Sequence, residues 1–587
     1  MDINKRTILW IVFAVSLVVL WNNWMVSTGH PSMFAPQPPA KTAPVADAKK
    51  SESATAAANA TATAGALPGA AAADGAAAPF KSELITVTTD VVRADIDTQG
   101  GVIRRLELLN FKENSHPGWF NGCFGWFKWC QPGDNGKNVV LFDIDASTNK
   151  TYLGQTGLIN APGAPNHTSP FIAKPGARML NGANQVQLVL ESESGGVKLT
   201  KTFTFKRGDY VVDVRHDVTN TGTAPVNPTL YMRLVHDGNK PATDSFFSSS
   251  YTGPTMYTAE NKYEKLKFDT LEKEAKEAQK TGKPMVQDHV THADNGWIAI
   301  SQHFFVSAFI PQDKQMHEIV TEKIDTNLYG IGIKQPLGAL APGATISNNA
   351  RLFSGPQISK LLEPVTPGLE LVKDYGWLAI IAKPMFWVME HIHAVLGNWG
   401  WTIIAFTILI KLLFFPLSAA GYKSMAKIKL VTPKIQAIRE RYKGDPAKMN
   451  QATMELYKTE KINPLGGCLP ILIQMPVFIS LYYVLQAAVE VRGAPWIGWI
   501  TDLSQHDPFG ILPVLYAISM FITTKLNPAP ADPMQAKIML FMPLVFSVMF
   551  FVFPSGLVLY WVVNNVLSIA QQWVITKKYS VPVPAKA

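Results

Sequence analysis

The sequence predicts a polytopic α-helical membrane protein of six transmembrane helices that carries a large antiparallel β-sandwich outside the membrane. Three observations point there. Apolar runs of near-spanning length open the chain and recur near 399–419, 467–488, 509–526, 537–553 and 556–575. Between about 80 and 355 the hydrophobic period is two, the signature of half-buried strands. The cations between the apolar runs are distributed unevenly, as topology requires. Composition agrees, since 587 residues exceed one ordinary domain, only 17% are charged, and mean hydropathy is +0.08. The net charge of +9 would suit nucleic acid, but its placement matters more than its size. There is no Walker loop, no G-x-G-x-x-G opening a helix after a strand, and no H-E-x-x-H. Nucleotide- and metal-dependent enzymes are therefore disfavoured, and no catalytic residue, cofactor or metal is expected.

Residues 1–27 place Lys5 and Arg6 before some twenty mostly apolar residues that end at Trp21, Asn22, Asn23 and Trp24. A cleaved signal peptide has a shorter core, so an uncleaved anchor with a cytoplasmic N-terminus is expected. Residues 28–79, rich in Ala, Pro, Thr and Gly, cannot bury a core and read as a flexible linker. In the sandwich, 80–355, Val197, Leu199, Phe203 and Phe205 share one strand face, as do Tyr210, Val212, Val214 and Val218. "SGG" and "RGD" supply turns. The charged interlude "ENKYEKLKFDTLEKEAKEAQK" is expected to be helical and solvent-facing. The His and Asp residues of this region are scattered and read as surface and turn positions. Cys123 and Cys130 lie close together in a Gly/Trp-rich loop, far from Cys468. In a periplasmic loop they are candidates for a disulfide, with two free thiols as the alternative.

The segment 356–398 is a linker followed by an apolar, aromatic stretch with Lys383, Pro384, Glu390, His391 and His393, which suits an interfacial amphipathic helix. The membrane core, 399–578, contains the loop 421–462. Between 421 and 461 this loop holds ten cations against four acids, which makes it cytoplasmic. The 490–508 loop, with Arg492 as its cation, then lies outside, "PSG" at 554–556 is a tight outer turn, and the short tail 579–587 lies inside. Six spans with both termini cytoplasmic satisfy every loop and put the sandwich in the periplasm of a Gram-negative inner membrane. Within 421–462, helical spacing of Ile435, Ile438 and Tyr442, and of Met449, Thr453 and Leu456, predicts a helical hairpin. Asp445 caps its second helix and Pro446 opens it. Lys423, Lys427, Lys429, Lys434, Arg439, Arg441 and Lys443 make it a docking arm for incoming chains, ribosomes or targeting factors, or simply a determinant of topology.

A charge inside a span is costly, about 2.5–3.5 kcal/mol even on insertion scales, and "IIAFTILIKLLFFPL" (403–417) contains Lys411. Thr407 lies four residues before it, on the same helical face. Gln474 sits in the next apolar run with Met475 and Phe478 close by, and Tyr560, Asn564, Ser568 and Gln572 recur every four residues in the last. The stripe is either packing glue between helices or, converging with Lys411, the lining of a wet cavity. Lys411 could also snorkel to the cytoplasmic edge. A transporter or channel using such a cavity is the alternative function class.

"NPLGGCLPILIQMPVF" (463–478), "DPMQAKIMLFMPLVF" (532–546), "FPSGLVLYWVVNN" (553–565), "GYKSMAKIKLVTPKIQAIRERY" (421–442) and, in the outer domain, "NGWIAISQHFFVSAFIP" (295–311) closely resemble the YidC membrane protein insertases. The resemblance implies a protein that inserts and folds nascent membrane proteins in the lipid bilayer, alone or with the Sec translocon and its accessory subunits. Ribosomes and the signal-recognition-particle receptor are implied partners, without a small-molecule cofactor. It implies a hydrophilic groove open to cytoplasm and lipid, and an outer domain similar to a β-supersandwich of the sugar-mutarotase type. By the same resemblance Lys411 takes the place of the family's groove cation, usually Arg, and Thr407 that of a groove threonine. Met475 and Phe478 match substrate-contacting positions, and Tyr560 and Trp561 an aromatic pair. Lysine keeps the charge but lacks the two-pronged grip of a guanidinium.

Overall fold

The computed structural model describes residues 82–115, 133–239 except 146, 251–460 except 443, 469–527 and 547–579, together with positions 67, 538 and 541. The anchor 1–27, nearly all of the linker 28–79, the Cys123 and Cys130 loop, Lys443 and, in the run 537–553, residues 537, 539, 540 and 542–546 lie outside the described residues.

Alternation writes the β domain. In Val197–Lys206 every second side chain is buried, and the neighbouring Gln185–Ser194 is joined to it by a two-residue turn at Gly195 and Gly196. Both glycines have positive φ, 60° and 71°, which is why "SGG" turns the chain here. Antiparallel pairing builds two sheets from the described strands. The first runs Leu84–Thr88, Val92–Asp97, Val102–Ser115, Lys150–Ile159, Thr229–Asp237, Leu328–Pro336, His317–Asp325, His292–Ala293. The second runs Lys262–Lys265, Gly253–Thr258, Trp297–Ser301, Phe305–Pro311, Thr345–Pro356, Val211–Asn220, Val197–Lys206, Gln185–Ser194, Ile172–Ala173. Their facing side chains, among them Leu106, Leu188, Phe203, Val214, Met232, Phe309 and Ile331, form one buried core.

Two expectations for this domain need correction. The charged interlude is only partly helical: Lys262–Lys265 is an edge strand paired with Gly253–Thr258, and helix α1 spans Phe268–Thr281. Tyr263 lies 6.1 Å from Trp297, ring centroid to centroid, a tilted contact that four residues of local propensity do not announce. Nor are the histidines and aspartates all surface residues. His167, His216, His236, Asp97 and Asp237 are buried. His216 faces Lys201 across the strand pair, and Lys201, wholly buried, donates from Nζ to the carbonyls of Gly100 and Thr156, each at 2.7 Å. Burial pulls Lys201 down to about 7, and burial together with the Lys201 charge pulls His216 down to about 3. Arg233, also wholly buried, donates to Gln155 Oε1 and Glu322 Oε1, both at 2.7 Å. The hydrogen bonds of these groups offset the cost of burying them.

The helical part begins with α2, Ala379–Leu396, whose inner face (Ala382, Met385, Phe386, Met389) is buried. Its outward face mixes Ile380, Trp387 and Val395 with Lys383 and His391. Helices α3 (Trp399–Leu413) and α4 (Phe415–Arg441) meet at a 67° bend. The expected run 399–419 is thus broken at Phe414, where Pro416 has no N–H to offer the carbonyl of Leu412. Lys411 consequently sits in the last turn of α3. Helix α5 is Pro446–Thr459, α6 Leu469–Ala487, α7 Ile511–Leu526 and α8 Ser555–Tyr579. Residues 555 and 556, expected as a turn, are the first of α8; Ser555 and Gly556 donate backbone N–H groups to Gln505 and Leu503. A second core binds α2, α3, α6, α7 and α8, with Phe386, Ile403, Phe406, Leu481, Leu512, Tyr516 and Val558 at its centre. Among the described residues no single helix is long and apolar enough to cross a membrane, though the bent pair α3 and α4 is so together.

Candidate functional site: a polar chain between three helices

The start of α3 is held in place by the 490–508 loop. Asn398 accepts from the Trp401 N–H at 3.1 Å and donates to the carbonyl of Pro495 at 3.0 Å. Trp496 packs against Gly400, where a Cβ would come within 2.1 Å of its ring. From this anchor the helical repeat carries Thr407 and Lys411 onto the face turned to α8, and both are buried, at 1% and 5% exposure.

Lys411 Nζ donates to Ser568 Oγ at 2.7 Å, and Ser568 Oγ in turn donates to the carbonyl of Asn564 at 2.7 Å. The Asn564 side chain accepts from Gln474 Nε2 of α6 at 2.6 Å. One chain of hydrogen bonds therefore runs Lys411, Ser568, Asn564, Gln474 and joins α3, α8 and α6. An ammonium has three donors, so the hydroxyl satisfies only one of them. The Thr407 hydroxyl, on the same face, donates to Ile403 of its own helix at 2.6 Å. Gln572, the last of the stripe, turns to Asn527 at the end of α7, 3.1 Å away.

Beside this chain lies an aromatic wall. Phe478 packs 4.4 Å from Trp561 and 6.4 Å from Tyr560, and Trp561 is bordered by Tyr516 and Phe550. Met475, one turn before Phe478, is 46% exposed. Two participants escaped the sequence reading: Asn565 donates to Ser519 Oγ of α7 at 3.1 Å, and both are buried. The doubled amide "NN" at 564–565 was the available signal, since consecutive helix residues face different neighbours.

Toward the other end, α4 and α5 form a hairpin closed by Val431, Ile435, Leu456 and Tyr457. Asp445 accepts from the Lys448 N–H at 3.1 Å, which makes it the N-cap that the sequence predicts. Lys423, Lys427, Lys429, Lys434 and Arg441 are exposed and Arg439 is half-buried; Lys434 pairs with Glu460 at 2.6 Å. Among the described residues no three His, Cys, Asp or Glu side chains gather as a metal site requires.

Residues 391–582 match the family model described as 60Kd inner membrane protein, and residues 130–388 match the YidC periplasmic domain. The chain is 54% identical over 597 residues to a membrane protein insertase YidC of Janthinobacterium sp. (strain Marseille), covering 99% of this chain and 100% of that one. It is 56% identical over 582 residues to that of Cupriavidus taiwanensis, covering 98% of each. Among solved structures it matches an active YidC insertase crystal structure at 19% identity and a TM-score of 0.37, over 86% of this chain and 95% of that chain.

Proposed function

The chain belongs to the YidC family of inner-membrane protein insertases with a periplasmic domain, and from this premise we propose that it inserts and folds integral membrane proteins through a hydrophilic groove open to cytoplasm and lipid. The observation that carries this reading is the hydrogen-bonded chain from Lys411 through Ser568 and Asn564 to Gln474. A client segment brings one polar flank that must cross and one apolar helix that must stay. A wet groove at half depth shortens the apolar distance for the flank, and the donors of Lys411 not used by Ser568 attract its acidic groups. Thr407 and Asn564 border this cation, while Met475, Phe478, Tyr560 and Trp561 offer adaptable apolar contact to many client sequences. Helix α7, at 16 residues, is about 24 Å long against a hydrocarbon core of about 30 Å. Local thinning of the bilayer around it lowers the barrier further. Partitioning of the client helix into lipid supplies the free energy, so the role is non-enzymatic.

In this reading the chain has six spans, with both termini and the basic hairpin cytoplasmic. The hairpin, with Lys423, Lys427, Lys429, Lys434, Arg439, Arg441 and Lys443, receives ribosomes and the signal-recognition-particle receptor. Helix α2 lies in the outer interface, where Trp387 and Ile380 meet lipid. The protein acts both alone and beside the Sec translocon. The test is depletion of the protein followed by protease mapping of newly made small membrane proteins. Loss of protected fragments is expected; normal insertion would instead favour a transporter or channel.

A further inference from the structure

The most buried ion pair among the described residues lies at the junction of the β domain with the helices, in neither core. Lys373, in the linker that leaves strand Thr345–Pro356, has a side chain with no exposure, and Glu490 is 14% exposed. Lys373 Nζ donates to both carboxylate oxygens of Glu490, at 2.9 and 3.0 Å. It also stands 4.0 Å from the centroid of the Phe386 ring of α2.

Two site-bearing segments meet there. Glu490 belongs to the short turn Val489–Val491 that follows α6, the helix of Gln474, Met475 and Phe478. Phe386 stacks parallel to Trp399, 6.0 Å away at 5°, and Trp399 is the first residue of the helix that carries Lys411 in its last turn. Around the pair the β domain grips the same outer ends: His303 Nε2 is 2.8 Å from the Gln486 carbonyl, and the Arg492 guanidinium stands 5.6 and 5.3 Å from the Phe304 and Phe305 rings. Lys360 pairs with Glu390 at 3.3 Å.

A buried ion pair adds little stability over apolar side chains of the same volume, whereas removing one partner leaves an uncompensated charge. What the pair does supply is direction, since two oxygens on one ammonium fix where Glu490, and with it the end of α6, can sit. We propose that Lys373 and Glu490 are positioning residues, a latch that locks the periplasmic domain to the outer ends of α3 and α6 and so holds the groove closed on that side while a client enters. This rests on the insertase reading above.

The experiment uses the full chain in proteoliposomes, without its three native cysteines, carrying nitroxide labels at Glu193→Cys and Thr501→Cys, two exposed positions in the β domain and the outer loop. Lys373→Met is expected to broaden the label-to-label distance distribution and to lower client insertion about tenfold. The exchange Lys373→Glu with Glu490→Lys is expected to restore both, which a loss of general stability would not allow. A narrow distribution with parental insertion in Lys373→Met overturns the latch, as does lost insertion with an unchanged distribution. If Lys373→Met does not fold, failure of the exchanged pair to recover a narrow distribution overturns it. Absence of insertion by the parental chain refutes the insertase reading alone, because the distances are read without a client.

Discussion

Replacing Lys411 by glutamate is expected to impair clients with acidic translocated tails far more than replacing it by arginine does. The ammonium is 5% exposed and donates to Ser568 Oγ, leaving donors for a client carboxylate. At about 4 Å such a pair gains ~1 kcal/mol in bulk water and ~4 kcal/mol at an effective dielectric of 20. Since 1.4 kcal/mol is a factor of ten, a neutral Lys411→Met should lower capture of an acidic tail between about fivefold and several hundredfold. Lys411→Glu turns attraction into repulsion and widens the gap, while Lys411→Arg keeps the charge. The assay is protease protection after insertion into proteoliposomes, with paired clients whose tail Asp and Glu residues are present or changed to Asn and Gln. The reasoning is refuted if the Glu and Arg variants insert the acidic client equally. It is refuted equally if Lys411→Glu depresses both clients alike, because the charge would then serve the fold and not the client.

Further outcomes follow from the same geometry. Burial holds Lys201 at about 7, below its unfolded value near 10.5, so the folded state binds fewer protons between them. Stability of the β domain should therefore be lowest below pH 7 and rise by a few kcal/mol toward pH 10; the unfolding temperature of the parent should climb over that range, and Lys201→Met should flatten the climb. Gly400→Ala places a Cβ within 2.1 Å of the Trp496 ring, and should destabilise the core by about 1–3 kcal/mol in thermal unfolding; an unchanged midpoint would mean Trp496 moves freely. A double-mutant cycle of Gln474→Leu and Asn564→Leu should return a coupling of about 0.6–1.7 kcal/mol; strictly additive losses would show that the bond contributes nothing.

Much of this fold is legible one segment at a time. Alternation in Val197–Lys206, the double glycine at 195–196 and the Asp445–Pro446 helix start are local signals, and each structure they predict is present. The same alternation also buries a cation: Lys201 stands in register with Val197, Leu199, Phe203 and Phe205, so its burial follows from the same pattern. The family motifs likewise identified the chain, because they are contiguous stretches of specific residues.

Sequence by itself thus determined which faces of which elements are apolar, where turns fall, and which polar residues interrupt the apolar runs. Tertiary structure alone decided their partners. Lys411 meets Ser568 across 157 residues, and Lys373 meets Glu490 across 117. "KYEK" became a strand because a sheet edge was there to receive it. The physical reason is common to all three. Periodicity is a property of one segment's own backbone geometry, whereas a partner is chosen by the packing and register of segments far apart in the chain.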